Sequence, residues 1–372
     1  MEEISVSSIS FMRHSFSIRG RELRQRLRRA ELDAWVVAEP ANWYYLTGFT
    51  GESGMLVVSQ GETALVTDGR FTGQAREECR GLRVVEQKGP LGEAVGKYLL
   101  QARRLKRIGY DPGRTSVEQL GRLRKGAGKN KEWKKSTGLV EGLRMVKEPG
   151  ELAQMRKAAA LADEVMSGAL KLLKPGVREL EIAAEIEYQM RRKGASGAAF
   201  ESIVAFGERS ALPHARPTER KLRKNELVVL DLGAILGHYC SDITRTVFVG
   251  CAPGRIRGWY QAVLEAQEAA IGAIGAGVEC GKVDEAARKV LAGHGLEERF
   301  IHSTGHGLGL EVHEEPRLAR GQKSRLAAGN VVTVEPGVYV PGVGGIRIED
   351  DVAVHEGGIE VLTRSKREFT EI

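Results

Sequence analysis

The tetrapeptide Lys147-Glu148-Pro149-Gly150 constrains the fold more than any other feature of this sequence. Proline is poor inside a helix but suited to its first turn, so a boundary followed directly by a long helix is expected there. The two sides of the break differ in kind. Residues 1–150 carry 27 basic against 18 acidic groups, whereas residues 151–372 carry 29 against 31. A chain of 372 residues also exceeds the roughly 250–300 at which one core stops growing, so two domains are expected. We place them at 18–141 and 142–372, behind a loose, Ser-rich leader over 1–17 within which Met12 is an alternative start.

In the first half, Leu23, Leu27 and Ala30 recur at helical spacing, and Ala34–Ala38 reads as a buried strand ended by Pro40. Short β-rich runs at Met55–Ser59, Ala64–Thr67, Arg83–Glu86 and Arg107–Tyr110 alternate with helical segments near Gln74–Cys79 and Leu91–Arg103, which predicts a small α/β domain. Trp43, Tyr44 and Tyr45 form an aromatic cluster that either a core or an interface must cover. Residues 101–135 hold 12 Lys/Arg against 3 Asp/Glu. No nucleic-acid motif accompanies this run, so we read it as a solvated face and expect no nucleic-acid partner. In the second half, Leu152, Met155, Ala159, Ala162, Val165, Met166 and Leu170 mark a helical stripe, and a second helix covers Glu179–Arg192. Two more helices, about Ile256–Ala273 and Val283–Ala292, precede a strand-rich and Gly-rich last third, an α+β pattern. No run approaches the roughly 20 apolar residues that span a bilayer, and Met1, Glu2 and Glu3 do not resemble a signal peptide. Cys79, Cys240, Cys251 and Cys280 form no framework pattern, so a protein with reduced thiols in the cytoplasm is expected, off any membrane.

The chemical residues gather in the second half. Two apolar runs between Leu227 and Val249 flank a turn near Leu236-Gly237. Opposed residues of a hairpin have a constant index sum, and a turn centred between 236 and 237 makes it 473, the sum for Asp231 and Asp242. The two acids would then face each other with Cβ atoms about 5 Å apart and repel unless a cation lies between them. A second hairpin around Pro341–Gly345 places Glu335 opposite Glu349, centred on Gly342. Buried acids are rare unless paired or ligated, so two opposed pairs point to metal binding. Between the hairpins, a Gly-rich run holds His302, His306 and His313. One imidazole with four carboxylates makes an oxygen-rich site fit for Mn²⁺ or Co²⁺ and tolerant of Zn²⁺. Five ligands are plentiful for one ion. Sharing Asp242 and Glu349 between two divalent ions would hold a hydroxide nucleophile. Arg347, two residues from Glu349 and on its face of the strand, is expected to fix a ligand carboxylate or to read a substrate carbonyl.

At these residues the chain resembles the metallopeptidase family with the pita-bread fold, which includes methionine aminopeptidase, aminopeptidase P, prolidase and creatinase. Asp231, Asp242, His306, Glu335 and Glu349 match its five metal-ligand positions in order. The surroundings of His214, Ser241–Thr246, Ser303–Gly309, Val334–Gly337 and Arg347–Asp351 are similar to its Xaa-Pro branch, and Tyr44–Thr50 resembles that branch's creatinase-like N-terminal domain. The resemblance implies an α/β creatinase-like domain followed by an α+β pita-bread catalytic domain. It implies two divalent ions, and it implies that His214, His302 and His313 line the substrate pocket and move protons. We count these three with Glu335 and Arg347 as the catalytic set. The expected activity is hydrolysis of the bond between an N-terminal residue and proline by an Xaa-Pro aminopeptidase, with Xaa-Pro dipeptidase (prolidase) as the alternative on the same site. The expected partners are a peptide with proline at the second position and a second copy of the chain. A metal-free creatinase-type hydrolase or a silent binding protein would not need all five ligand positions filled.

Overall fold

The computed structural model describes residues 6–372 and divides between Arg144 and Met145 into two compact units. The division falls at the end of a short helix, a few residues beyond the expected one. The first unit opens with α1 (Val6–Arg29), so the loose leader expected over 1–17 is helical from residue 6, and its first five residues lie outside the described ones. Sequence reading missed this because the Ser-rich start lacks a sustained apolar period, and the clear stripe begins only at Leu23 and Leu27, both fully buried.

The unit continues through β1 (Ala34–Val37), α2 (Pro40–Thr47), β2 (Met55–Ser59), β3 (Thr63–Thr67), α3 (Thr72–Glu78), β4 (Arg83–Glu86), α4 (Leu91–Gln101), β5 (Arg107–Tyr110), α5 (Val117–Ala127), β6 (Glu132–Lys135) and α6 (Glu141–Arg144). Its six strands lie in the order β4-β3-β2-β1-β5-β6. Pro40 does more than end a strand: it occupies the first turn of α2, which closes on Gly48 in the left-handed region. Trp43 and Tyr45 of α2 are each only 3% exposed, so the aromatic cluster serves this unit's core. The basic run contains α5, started by a capping box between Ser116 and Gln119, and the edge strand β6. Its cations hid an amphipathic helix whose Leu123 and Ala127 pack on Val95 and Leu99 of α4 and on the sheet.

In the second unit, α7 (Pro149–Leu170) starts at the predicted proline and is followed by α8 (Glu179–Arg192). The strands β7 (Gly197–Ala198), β8 (Ile203–Phe206), β9 (Glu226–Leu232), β10 (Ala234–Leu236), β11 (Tyr239–Cys240) and β12 (Ile243–Val249) come next. After α9 (Gly254–Gly272) and α10 (Cys280–Gly293) the chain forms β13 (Gly305–Gly307), β14 (Glu314–Leu318), β15 (Val331–Val334), β16 (Gly337–Val340), β17 (Gly344–Arg347), β18 (Asp350–His355), β19 (Gly358–Val361) and β20 (Thr370–Glu371). One sheet runs β20-β12-β9-β8 and the other β14-β13-β15-β18-β19, with β16-β17 as a separate ribbon. The first packs Val228, Leu230 and Leu232 against Val165, Ile182 and Ile186 of α7 and α8. The second packs Val332, Val334 and Val352 against Val263, Val283 and Ala287 of α9 and α10. Side chains alternate along a strand, so the residues between these, Asp231 among them, are turned away from the helices.

Register decides what faces what. Around the first hairpin Leu236 pairs with Tyr239 and Leu232 with Ile243, giving an index sum of 475 rather than 473. The turn residues are Gly237 and His238, both at positive φ, as a two-residue hairpin turn demands. The expected turn would have put Leu236 in that region, where a bulky side chain is strained. Asp231 therefore faces Thr244, and Asp242 lies on the diagonal from it rather than directly opposite. Around the second hairpin Val334 pairs with Asp350 and Gly337 with Arg347, so Glu335 stands opposite Glu349 as the sequence predicts.

Glycine allows the close crossing of α4 and α5. A Cβ on Gly126 would lie 2.3 Å from the carbonyl oxygen of Glu93, and one on Gly96 would lie 2.4 Å from that of Leu123. Alanine gains about 1 kcal/mol of helix propensity over glycine, but these neighbours are backbone atoms that yield only if the helices part. Gly126→Ala should therefore destabilise the protein by about 1–3 kcal/mol, read as a lower denaturation midpoint in urea.

Candidate metal centre

Three of the four acids sit where a hairpin interrupts its ladder. Asp242 lies between β11 and β12, and Glu335 and Glu349 lie in the gaps that separate β15 from β16 and β17 from β18. Breaks in pairing free these side chains to converge. Ligand-capable atoms of Asp242, His306 and Glu349, all buried, come within 4.8 Å of one another. The Nε2 atom of His306 is 3.5 Å from Glu335 Oε1 and 3.8 Å from Asp242 Oδ2. Asp231 is buried on β9, one oxygen gripped by Arg347 and the other without a partner. Asp242 Oδ1 is likewise buried and unpartnered.

The electrostatics of this cluster are unfavourable as it stands. Burial, reinforced by Glu349 and Asp231, raises the Asp242 carboxyl well above its usual range. Burial together with Glu335 and Asp231 does the same to Glu349, and burial pushes Glu335 up to about 8. Unpartnered buried oxygens and mutually raised carboxylates are what a divalent cation relieves, so the residues present fit one. His306 suits the same purpose. Its Nδ1 lies 3.0 Å from the Gly307 carbonyl oxygen, to which Nδ1–H donates, leaving the Nε2 lone pair directed at the acids. Burial lowers the His306 pKa to about 4, so the ring is neutral near neutral pH.

Arg347 bonds the Asp231 carboxylate rather than that of Glu349, its near neighbour in sequence. Besides that carboxylate, its Nε donates to Thr244 Oγ1 at 3.0 Å, and Nη1 donates to the Tyr339 hydroxyl at 2.7 Å and to the Pro213 carbonyl at 3.2 Å. The three remaining histidines separate into two kinds. His302 is held: Nδ1 bonds the Ser303 carbonyl and Nε2 the Tyr339 hydroxyl, each at 2.9 Å, and its pKa is pushed down to about 4 by burial and by Arg347. His313 is exposed and meets the His306 ring edge-on at 4.3 Å between centroids. Partial burial and the nearby His214 lower its pKa, and His214 is itself exposed on the loop after Pro213.

Several participants escaped the sequence reading. Thr244 donates to Glu349 Oε2 at 2.6 Å, so it links the two hairpins. Strand alternation from Asp242 could have found it. Arg245, 2% exposed, pairs with Asp350 at 2.7 Å and also donates to the carbonyls of Glu349, Thr244, Ser365 and Lys366. Asp351 Oδ2 accepts the Asp242 backbone N–H at 3.0 Å. Nothing in the sequence pattern predicts the partners of Tyr339, which reads as an ordinary strand residue.

Comparison with known proteins agrees with this geometry. Residues 153–356 match metallopeptidase family M24, and residues 19–146 match the creatinase/prolidase N-terminal domain. A Pyrococcus furiosus protein named Xaa-Pro dipeptidase is 36% identical over 91% of this chain and 95% of its own. An Xaa-Pro dipeptidase from Bacillus anthracis superposes with a TM-score of 0.92 at 35% identity, covering 96% of this chain and 100% of that one. An X-Pro aminopeptidase from Thermotoga maritima gives a TM-score of 0.85 at 36% identity, over 93% and 100%.

The raised carboxylates have a consequence for stability. With no metal bound, Glu335 keeps a proton in the folded chain at pH values where the unfolded chain has lost it, so stability falls as pH rises toward about 8. His302 and His306, held near 4, act oppositely between about 4 and 6.5, because there the unfolded chain binds the extra protons. Above about 6.5 the carboxylates act alone. Metal-stripped protein should melt a few degrees lower at pH 8 than at pH 6.5, and manganese should remove most of that difference. A melting temperature that rises over this interval would contradict the electrostatics described.

Proposed function

The chain belongs to metallopeptidase family M24, and on that premise we propose that it is a divalent-metal-dependent exopeptidase that cleaves the bond between an N-terminal residue and proline. The observation that carries the reading is the convergence of Asp242, His306, Glu335 and Glu349 in a buried space beside Asp231, with Arg347, among the described residues, as the one guanidinium bonded to a carboxylate of the set. We assign Asp231, Asp242, His306, Glu335 and Glu349 to hold two ions, Mn²⁺ first, with Co²⁺ or Zn²⁺ as substitutes. Bound there, such ions supply Lewis acidity that polarises a peptide carbonyl and brings the pKa of water from 15.7 toward about 7.

The chain's own residues do the rest. Glu335, the least enclosed of the four acids, stands between His306 and His302 and is placed to accept a proton from the attacking water. Arg347 fixes Asp231. His302, with both nitrogens engaged inside the protein, orders Tyr339 rather than carrying protons. Delivery of a proton to the leaving proline nitrogen falls to the exposed imidazoles His313 and His214. The named relatives divide between dipeptidase and aminopeptidase, which differ in whether the substrate continues beyond proline. Aminopeptidase action is the first expectation. The dipeptidase reading gains support from the names of the Pyrococcus and Bacillus relatives. Among the described residues no helix is long and apolar enough to cross a membrane. The four cysteines are free thiols, and we assign the protein to the reducing cytoplasm, acting as a homodimer.

A panel of Xaa-Pro and Xaa-Pro-Yaa peptides assayed with Mn²⁺, Co²⁺ and Zn²⁺ tests the activity and separates its two forms. Manganese-loaded protein should approach about two ions per chain by elemental analysis. A content that never exceeds one at saturation would end the dinuclear assignment. Asp231→Asn should lose one ion more readily than both, whereas Asp242→Asn should disturb both. His313→Ala should keep its metal and lose about 10²–10⁴ in kcat/KM.

A further inference from the structure

The segment 300–304, which carries His302 into β13, is clasped from behind by two side chains of α10. Asp284 and Arg288 stand four residues apart on one helix face, and Asp284 Oδ2 accepts from Arg288 Nε at 2.7 Å. Asp284 is 1% exposed. Its Oδ1 accepts from both the backbone N–H and the hydroxyl of Thr304, at 3.1 and 2.9 Å. Arg288 completes the grip: Nη1 donates to the Phe300 carbonyl at 3.1 Å and Nη2 to the His302 carbonyl at 2.6 Å. The guanidinium carbon lies 4.4 Å from the centre of the Phe300 ring, and that ring meets the His302 imidazole edge-on at 5.0 Å. Thr304 passes the constraint onward, since its carbonyl accepts the backbone N–H of Glu335 at 2.8 Å.

An i,i+4 ion pair on a helix contributes little, and a buried pair adds little net stability over a well-packed apolar one. Stability alone therefore does not account for the arrangement. What the pair supplies is direction. A planar fork reaches three acceptors at fixed angles, which the single ammonium of lysine does not. We propose that Asp284 and Arg288 are positioning residues that set the place of the His302 ring in the site. The proposal rests on the hydrolytic reading of that site, and it gives α10 a task beyond covering the second sheet.

The test uses full-length, manganese-loaded protein and four variants: Arg288→Lys, Arg288→Ala, His302→Ala and the double change Arg288→Lys with His302→Ala. Misplacing a group in a site by about 1 Å can cost a hundredfold, so Arg288→Lys should lower kcat about tenfold to a hundredfold while KM and metal content stay near their original values. Arg288→Ala should lose at least as much. Residues acting through one another are non-additive, so the double variant should be no slower than His302→Ala alone. Losses that multiply would assign Arg288 a separate structural role and overturn the proposal. A readout independent of activity keeps the two readings apart. In ¹⁵N-histidine-labelled protein loaded with diamagnetic Zn²⁺ in place of paramagnetic Mn²⁺, the ring signals absent from His302→Ala, or from His302→Gln if the alanine variant does not fold, identify His302. Those signals should move in Arg288→Lys. If they do not, the clasp does not position the ring, whatever the activity. If they move in a protein that hydrolyses no proline peptide, the clasp stands and the hydrolytic reading falls.

Discussion

Four carboxylates and one imidazole share a buried space in which, among the described residues, a single guanidinium, that of Arg347, is bonded to one of the carboxylates, and the second unit is organised around holding them there. Each acid alone would prefer water or a proton. Their retention depends on donors that fix one oxygen of a carboxylate and leave the other directed inward. Arg347 does this for Asp231, Thr244 for Glu349, and the Gly307 carbonyl does the corresponding service for His306 by fixing its Nδ1 proton. Such partners fix orientation before an ion arrives, so binding need not order the ligands as well.

The second unit supplies this rigidity by using one arrangement twice. A pair of helices covers one face of a sheet, and a hairpin that enters that sheet carries two acids: Asp231 and Asp242 on the first, Glu335 and Glu349 on the second. The two sheets are joined at the site by polar bonds. Arg245 on β12 reaches Asp350 and the Glu349 carbonyl at the start of β18, while Asp351 on β18 accepts the backbone N–H of Asp242. A residue two or three positions from an acid of one hairpin thus bonds the backbone beside an acid of the other. Because the Arg245–Asp350 pair is buried, removing one partner would leave an uncompensated charge, which is far more damaging than never having had the pair.

Much of this was legible in the sequence, for identifiable reasons. The helix at Pro149 and the strands of the first unit follow from local signals that tertiary context did not override. The Glu335–Glu349 opposition was correct because Gly342 permits a turn centred on itself. The Asp231–Asp242 opposition was displaced because the choice of turn depends on which residues tolerate positive φ, and His238 accepted a conformation that sequence pattern assigned to no residue there. Helix α5 was obscured by its own lysines and arginines, whose charge suggested a surface and was silent on the apolar stripe beneath. Tyr339, Asp284 and Arg288 were illegible for a different reason. Their partners lie on other elements, and no spacing rule records a contact between a helix face and a loop.

The histidines show how one residue type serves opposed needs. Two of those at the site are fixed inside the protein and two face solvent. His306 and His302 belong to the first kind: both are enclosed, both bond a backbone carbonyl through Nδ1, and both are held near 4, so neither charges in the neutral range. His214 and His313 differ from them in being exposed to solvent. The glycines of the intervening run let the two kinds lie close together. A Cβ on Gly305 or Gly307 would meet backbone oxygens of Thr333 or Glu315 at about 2 Å. A side chain at Gly305 would push the segment bearing His306 away from β15, and one at Gly307 would push it away from β14, separating the imidazole from the acids beside it. The two glycines flanking His306 are thus required by packing, and the chemistry of the site depends on that fit.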